Sequence, residues 1–271
     1  MNKSLIILIL LCQISFAQQS SKLELIDIYD LEYISDPQIS PDGSQIIYQR
    51  NFKDIMTDQN LSNLWIVNFD GTQNRPLTTG NTKDSYPRWS PDGEKIIYKS
   101  NKDGDMKLYH MWLDTGQETI LSSSENLPGS VSWSPDGKTL AFSKFVPSET
   151  ESIIKLPKKP EGAKWNEAPK YITDLKYRAD GAGYLKSGNT QIFIQSVEGR
   201  TPQQLTFGEN DHTSPVWGKD GNYLFFSANL HDEKELEPLN SELHRLDIKS
   251  GDIKTLTTRF GPDSNPEISP D

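Results

Sequence analysis

Cysteine is all but absent: the 271 residues hold one, Cys12, close to the amino terminus. A lone thiol excludes an internal disulfide framework. Positive charge is scarce as well. Lys and Arg number 28 against 38 Asp and Glu, a formal charge of −10, and no run of basic residues forms a patch suited to nucleic acid or an anionic membrane surface. Long apolar runs are missing: Leu5 to Cys12 is too short to anchor in a bilayer. Hydrophobic residues make up 34%, low for a globular chain, which fits thin sheets joined by many polar turns. No Gly-x-Ser-x-Gly occurs, so the sharp strand-to-helix turn that presents a serine nucleophile is excluded, and no catalytic residue is assigned.

What the chain has instead is one turn, repeated. Ile39-Ser40-Pro41-Asp42-Gly43 leads into Ile46-Ile47-Tyr48, Trp89-Ser90-Pro91-Asp92-Gly93 into Ile96-Ile97-Tyr98, and Trp133-Ser134-Pro135-Asp136-Gly137 into Leu140-Ala141-Phe142. A worn copy, Trp217-Gly218-Lys219-Asp220-Gly221, precedes Leu224-Phe225-Phe226, and a last one, Ile268-Ser269-Pro270-Asp271, stops short of its glycine. Pro presets φ, Asp accepts backbone hydrogen bonds and Gly takes the left-handed conformation, so each copy is strand, tight turn, strand. Between Ser134 and Gly218 the spacing doubles, and Tyr177-Arg178-Ala179-Asp180-Gly181, with Arg178 in the serine's place, restores the rhythm.

A fainter signature alternates with the turns. Leu64-Trp65-Ile66-Val67 is followed by Asp70-Gly71 and Pro76-Leu77-Thr78; Gln191-Ile192-Phe193-Ile194 by Glu198-Gly199 and Gln204-Leu205-Thr206. Four short strands per unit, recurring every 40 to 50 residues or so, predict an all-β fold, a β-propeller of four-stranded blades. Five complete blades and the opening strand of a sixth are expected, an incomplete ring spanning residues 18–271, with an inserted loop at about 147–170. The first 17 residues read as a signal peptide: a basic start, an apolar stretch, and Ser15-Phe16-Ala17 as cleavage site. Leu11 stands before Cys12 where a lipoprotein signal expects a small residue, so simple export to the periplasm or medium is predicted, without a membrane anchor.

The stretch from Tyr33 to Tyr48, and the middle segment Leu156-Pro157-Lys158-Lys159-Pro160-Glu161-Gly162-Ala163-Lys164-Trp165 followed by Tyr177 to Leu185, resemble the propeller of the prolyl oligopeptidase family of serine peptidases, in its acylaminoacyl-peptidase and dipeptidyl-peptidase branch. The resemblance implies a lid over an α/β-hydrolase domain that carries a Ser-Asp-His triad and cleaves short peptides. This chain has the lid alone, so a peptide substrate would be met through a catalytic domain that it lacks. The alternative is a stand-alone exported propeller of the Tol type, which binds a protein partner.

Candidate contact residues are few. Trp165 stands in a Pro- and Lys-rich insertion and either pins the loop to its own blade or faces a substrate chamber; Arg178 is either a solvated turn residue or a bidentate partner for a peptide carboxylate. His110, His212, His231 and His244 fall on expected strands and loops. Asn101-Lys102-Asp103-Gly104-Asp105 looks like a calcium loop, but its glycine is misplaced and no Glu closes it, so a polar turn is expected. No metal and no cofactor are assigned.

Overall fold

The computed structural model describes residues 22–122, 127–148, 157–166 and 170–269. The expected signal peptide, with Cys12, lies outside them, as does part of the inserted loop. Among the described residues, four antiparallel four-stranded sheets follow one another in sequence. Blade 1 is β1 (Tyr33–Ile39), β2 (Gln45–Asp54), β3 (Gln59–Asn68) and β4 (Arg75–Pro76); blade 2 is β5 (Ser85–Trp89), β6 (Lys95–Ser100), β7 (Lys107–Trp112) and β8 (Glu118–Ser122). Blade 3 begins with β9 (Val131–Trp133) and β10 (Thr139–Pro147). It is then interrupted by a two-stranded ribbon, β11 (Arg178–Ala179) and β12 (Gly183–Tyr184), and finishes with β13 (Gly188–Ser196) and β14 (Gln203–Gln204). Blade 4 is β15 (His212–Trp217), β16 (Tyr223–Ala228), β17 (Glu242–Asp247) and β18 (Ile253–Thr255). A short 3₁₀ helix, Leu25–Tyr29, precedes blade 1.

The turn chemistry is as the repeat predicts. Ser40, Ser90 and Ser134 donate to Asp42, Asp92 and Asp136 at 2.6, 2.5 and 2.6 Å, and the serine oxygens accept the backbone N–H groups of Gln45, Lys95 and Thr139 at 2.9, 3.0 and 2.9 Å. The glycine that closes each turn is left-handed, φ 73° at Gly43 and Gly93 and 67° at Gly137. The fainter signature has its own device: Thr78, Thr206 and Thr257 accept the N–H of Leu64, Ile192 and Leu243 in their own blades. These local bonds satisfy third-strand donors that the short outer strands leave without a ladder partner.

The core lies between blades. Successive residues of a strand point to opposite faces, so Ile96 packs with Ile47, Leu64 and Ile66 of blade 1, whereas its neighbour Ile97 packs with Val131, Leu140 and Phe142 of blade 3. Ala141 faces the other way again, joining Ile192 to Trp217, Leu224 and Phe226 of blade 4. The sheets of blades 2 and 3 are thus apolar on both sides, and the four stand as consecutive blades.

The expectation of a fifth complete blade is corrected here. Tyr177–Gly181 does not open a blade; its strands form the ribbon, and Ile192 and Phe193 pair instead with Ser143 and Phe142 of β10. Two causes are visible. The residues after this turn, Ala182 to Gly188, lack the three-residue apolar run that every true copy carries into its second strand. The hairpin is also tighter, pairing Ala179 with Gly183, whereas Ser40 bonds across to Gln45. The doubled spacing therefore marks one blade with a long insertion between its second and third strands.

Candidate functional site

The insertion leaves blade 3 at Pro147 and returns at Gly188. Gly188 has φ 142°, and a β-carbon there would sit 2.3 Å from the Val146 carbonyl oxygen, so the junction closes only around glycine. This end of the blade is opposite the Ser-Pro-Asp-Gly turns. The ribbon, closed by Leu185 N–H to the Tyr177 carbonyl at 2.9 Å, bounds a cavity of about 1620 Å³ together with the ends of blades 3 and 4.

The wall on the blade side is fixed by hydrogen bonds. Asp211 accepts the N–H of Thr190 at 2.6 Å, Asn189 donates to the Glu209 carbonyl at 2.9 Å, and Lys234 donates to Asn210 Oδ1 at 2.7 Å. The ribbon side is aromatic and basic. Tyr177 and Tyr184 lie 6.1 Å apart, Lys170 sits 4.2 Å over the Tyr184 ring, and Tyr171 and Phe145 add further partly exposed rings. Arg178 lines this cavity, with no carboxylate paired to it among the described residues. Trp165 is 47% exposed and is not part of the lining. Of the two residues singled out by sequence, the fold brings Arg178 to the cavity and leaves Trp165 out of its wall.

A second constellation runs along the first strands of the blades. Asp36, Tyr86, Ser214 and Asn265 all have φ between 47° and 59°, and each directly precedes a proline. A position before proline and a β-carbon both resist the left-handed region, so the same costly step recurs in blades 1, 2 and 4 and again after blade 4. It breaks the register of the first strand and turns these side chains toward their neighbours. Arg88 binds both Asp36 oxygens, at 3.0 and 2.8 Å, and stacks 3.7 Å over Tyr86, whose hydroxyl accepts the N–H of Val131 at 2.8 Å; Ser214 donates to Asn265 at 2.9 Å. Trp89 Nε1 donates to the Gln38 carbonyl at 2.9 Å and Trp133 Nε1 to that of Arg88 at 3.3 Å, each latching a blade to the one before. The signal was in the sequence: four of the five turn copies carry a proline three residues ahead of the serine position.

The histidines are placed by packing. His110 is buried between Trp112 and Trp133, ring centroids 4.3 and 5.6 Å away, with no hydrogen bond to either nitrogen. His212 and His244 flank Phe226, and burial lowers the pKa of both. His231 contacts the buried carboxylate of Glu242 at 2.7 Å, a bond that raises its pKa. Asn101 to Asp105 is the β6–β7 turn, in which Asn101 accepts the Lys83 N–H at 2.7 Å and Asp103 the Tyr109 hydroxyl at 2.8 Å.

Comparison with known proteins fits this architecture. The family model described as the TolB beta propeller domain matches residues 14–161. The uncharacterized peptidase YuxL of Bacillus subtilis is 31% identical over 208 residues, which cover 75% of this chain and 31% of that protein. Dipeptidyl-peptidase 5 of Porphyromonas endodontalis is 25% identical over 249 residues, 86% of this chain and 35% of that one. The structure of an acylaminoacyl peptidase in complex with Z-Gly-Gly-Phe-chloromethyl ketone superposes with a TM-score of 0.62 at 17% identity, covering 85% of this chain and 33% of its own. The chain spans about a third of the length of these relatives. They bear out the resemblance to peptidase propellers drawn from the segments around Tyr33 and Trp165. With its family model matching more than half of its length, the chain belongs to the TolB-type β-propeller family, with peptidase-named proteins among its relatives.

Proposed function

We propose that this chain is the non-catalytic, substrate-gating propeller portion of an exported serine peptidase acting on short peptides. The observation that carries the reading is the match to peptidase-named relatives over 75% and 86% of this chain, which is only about a third of theirs. The absence of Gly-x-Ser-x-Gly supports a binding role for this portion rather than bond cleavage. The cavity under the insertion supplies a place for a peptide: aromatic rings for apolar side chains, and Arg178, whose guanidinium suits a carboxylate. Trp165, on the same insertion but outside the cavity lining, is assigned a further contact with the peptide. Export is supported by the basic, apolar and small-residue sequence of the first 17 positions. Calorimetric titration with tri- and tetrapeptides tests the reading: binding is expected, weakened about tenfold or more in Arg178→Ala, as loss of a charge-assisted pair requires. Peptides that do not bind, or that bind the variant equally well, would remove the assignment.

A second reading, a stand-alone exported propeller that binds a folded protein partner, is favoured by the family model itself, whose description is that of TolB. It predicts retention of a folded exported protein and none of short peptides.

A further inference from the structure

The joint between blades 2 and 3 carries two cations and one counter-ion. Arg88 of β5 is neutralised by Asp36, whose two oxygens lie 3.0 and 2.8 Å from Nη1. Lys99 of β6 reaches the same Tyr86 ring that Arg88 covers, its Nζ 4.6 Å from the centroid where the Arg88 guanidinium carbon is 3.7 Å away. The one hydrogen bond that Lys99 Nζ makes is to the Gly129 carbonyl oxygen at 2.7 Å, and no carboxylate pairs with it among the described residues. The charged and titratable groups that face it are Arg88 and Tyr86 of β5; Asp36 of β1 is committed to the guanidinium. The Tyr86 ring and the Gly129 carbonyl favour the ammonium, while partial burial and the neighbouring Arg88 charge disfavour it, and with no carboxylate of its own among the described residues the balance falls against the charged form.

We propose that Lys99 is a nucleophilic amine at neutral pH and the preferred site on this chain for acylation by small activated acyl donors, such as acyl phosphates and thioesters. The Nζ lone pair forms the new bond to the acyl carbon, the bond from that carbon to phosphate or thiolate breaks with its electron pair, and the extra proton on nitrogen passes to water. The product is an uncharged amide that removes the repulsion toward Arg88 and keeps one N–H to donate to Gly129. Burial and, after it, the Arg88 charge lower the lysine from its ordinary 10.5 to about 8, in keeping with this geometry.

The test is brief acetylation of the whole folded chain with a limiting amount of N-acetoxysuccinimide, read lysine by lysine by peptide mass spectrometry over about pH 6 to 10. A group titrating at about 8 rather than 10.5 holds roughly 300-fold more free amine at pH 7. Allowing for its lower basicity and partial burial, Lys99 is expected to react at least about tenfold faster than exposed Lys254, with half-maximal rate near pH 8. Arg88→Gln should move that midpoint upward. Should that variant fold poorly, the pH–rate profile of the unaltered chain decides alone. Reaction of Lys99 no faster than Lys254, or a midpoint at the ordinary lysine value, would overturn the proposal.

Discussion

Protonating His110 should loosen the joint between blades 2 and 3. The ring is 3% exposed, packed between Trp112 and Trp133, and neither nitrogen has a partner to share an extra proton. Burial, and secondarily the Lys95 charge, lower its pKa from 6.5 to about 4. The sign follows from linkage: the unfolded chain takes up the proton first, so stability is complete above 6.5 and falls as pH drops toward about 4. A displacement of that size corresponds to about 3 kcal/mol by pH 4, a large share of a small domain's stability. His212 and His244 are lowered by burial too and act in the same direction, so the slope of the unaltered chain alone does not isolate His110. A difference does. His110→Gln should cost stability near pH 7, where the imidazole packs well, and the gap between variant and parent in urea titrations should shrink by about 2–3 kcal/mol by pH 4. A gap that stays constant across this range would refute the reasoning.

The tryptophan latches supply an internal control. Trp89 donates to Gln38 whereas the equivalent Trp217 Nε1 is buried without a partner, so Trp89→Phe should cost about 1–2 kcal/mol more than Trp217→Phe in denaturant titration; equal costs would deny the latch. Arg88→Met, which leaves Asp36 without its cation across the blade joint, should destabilise by about 1 kcal/mol, less at high salt, and insensitivity to salt would count against the ion pair. The bond from His231 to Glu242 raises the histidine pKa, so its contribution is complete below 6.5 and is lost as pH rises through the raised value; melting temperature should decline over that alkaline side, and His231→Phe should abolish the decline.

Most of the fold was legible because its determinants are local. Ser, Pro, Asp and Gly specify the turn within five residues, and apolar triplets such as Ile96-Ile97-Tyr98 carry both blade faces within one strand. The reading failed at Tyr177–Gly181, where turn residues recur without the strand that must follow, and pairing of β10 with β13 across the insertion is a long-range choice that no local pattern encodes. The cavity was legible only through Arg178, because its other wall comes from the Glu209–Asp211 crossing and the loop at Lys234, brought there by the stacking of blade 4 on blade 3. The left-handed step before Pro37, Pro87 and Pro215 went unread for a different reason: the proline is visible, but proline alone argues against the conformation that its predecessor adopts.

The central claim, that this propeller holds short peptides and leaves their cleavage to another domain, is tested most directly by equilibrium dialysis of the chain against a defined mixture of two- to six-residue peptides (about that range), with mass spectrometric readout on both sides. The account predicts that a subset of peptides concentrates on the protein side and is recovered intact. Peptides distributed evenly across the membrane, or cleaved in a reaction that a serine-directed inhibitor stops, would contradict it.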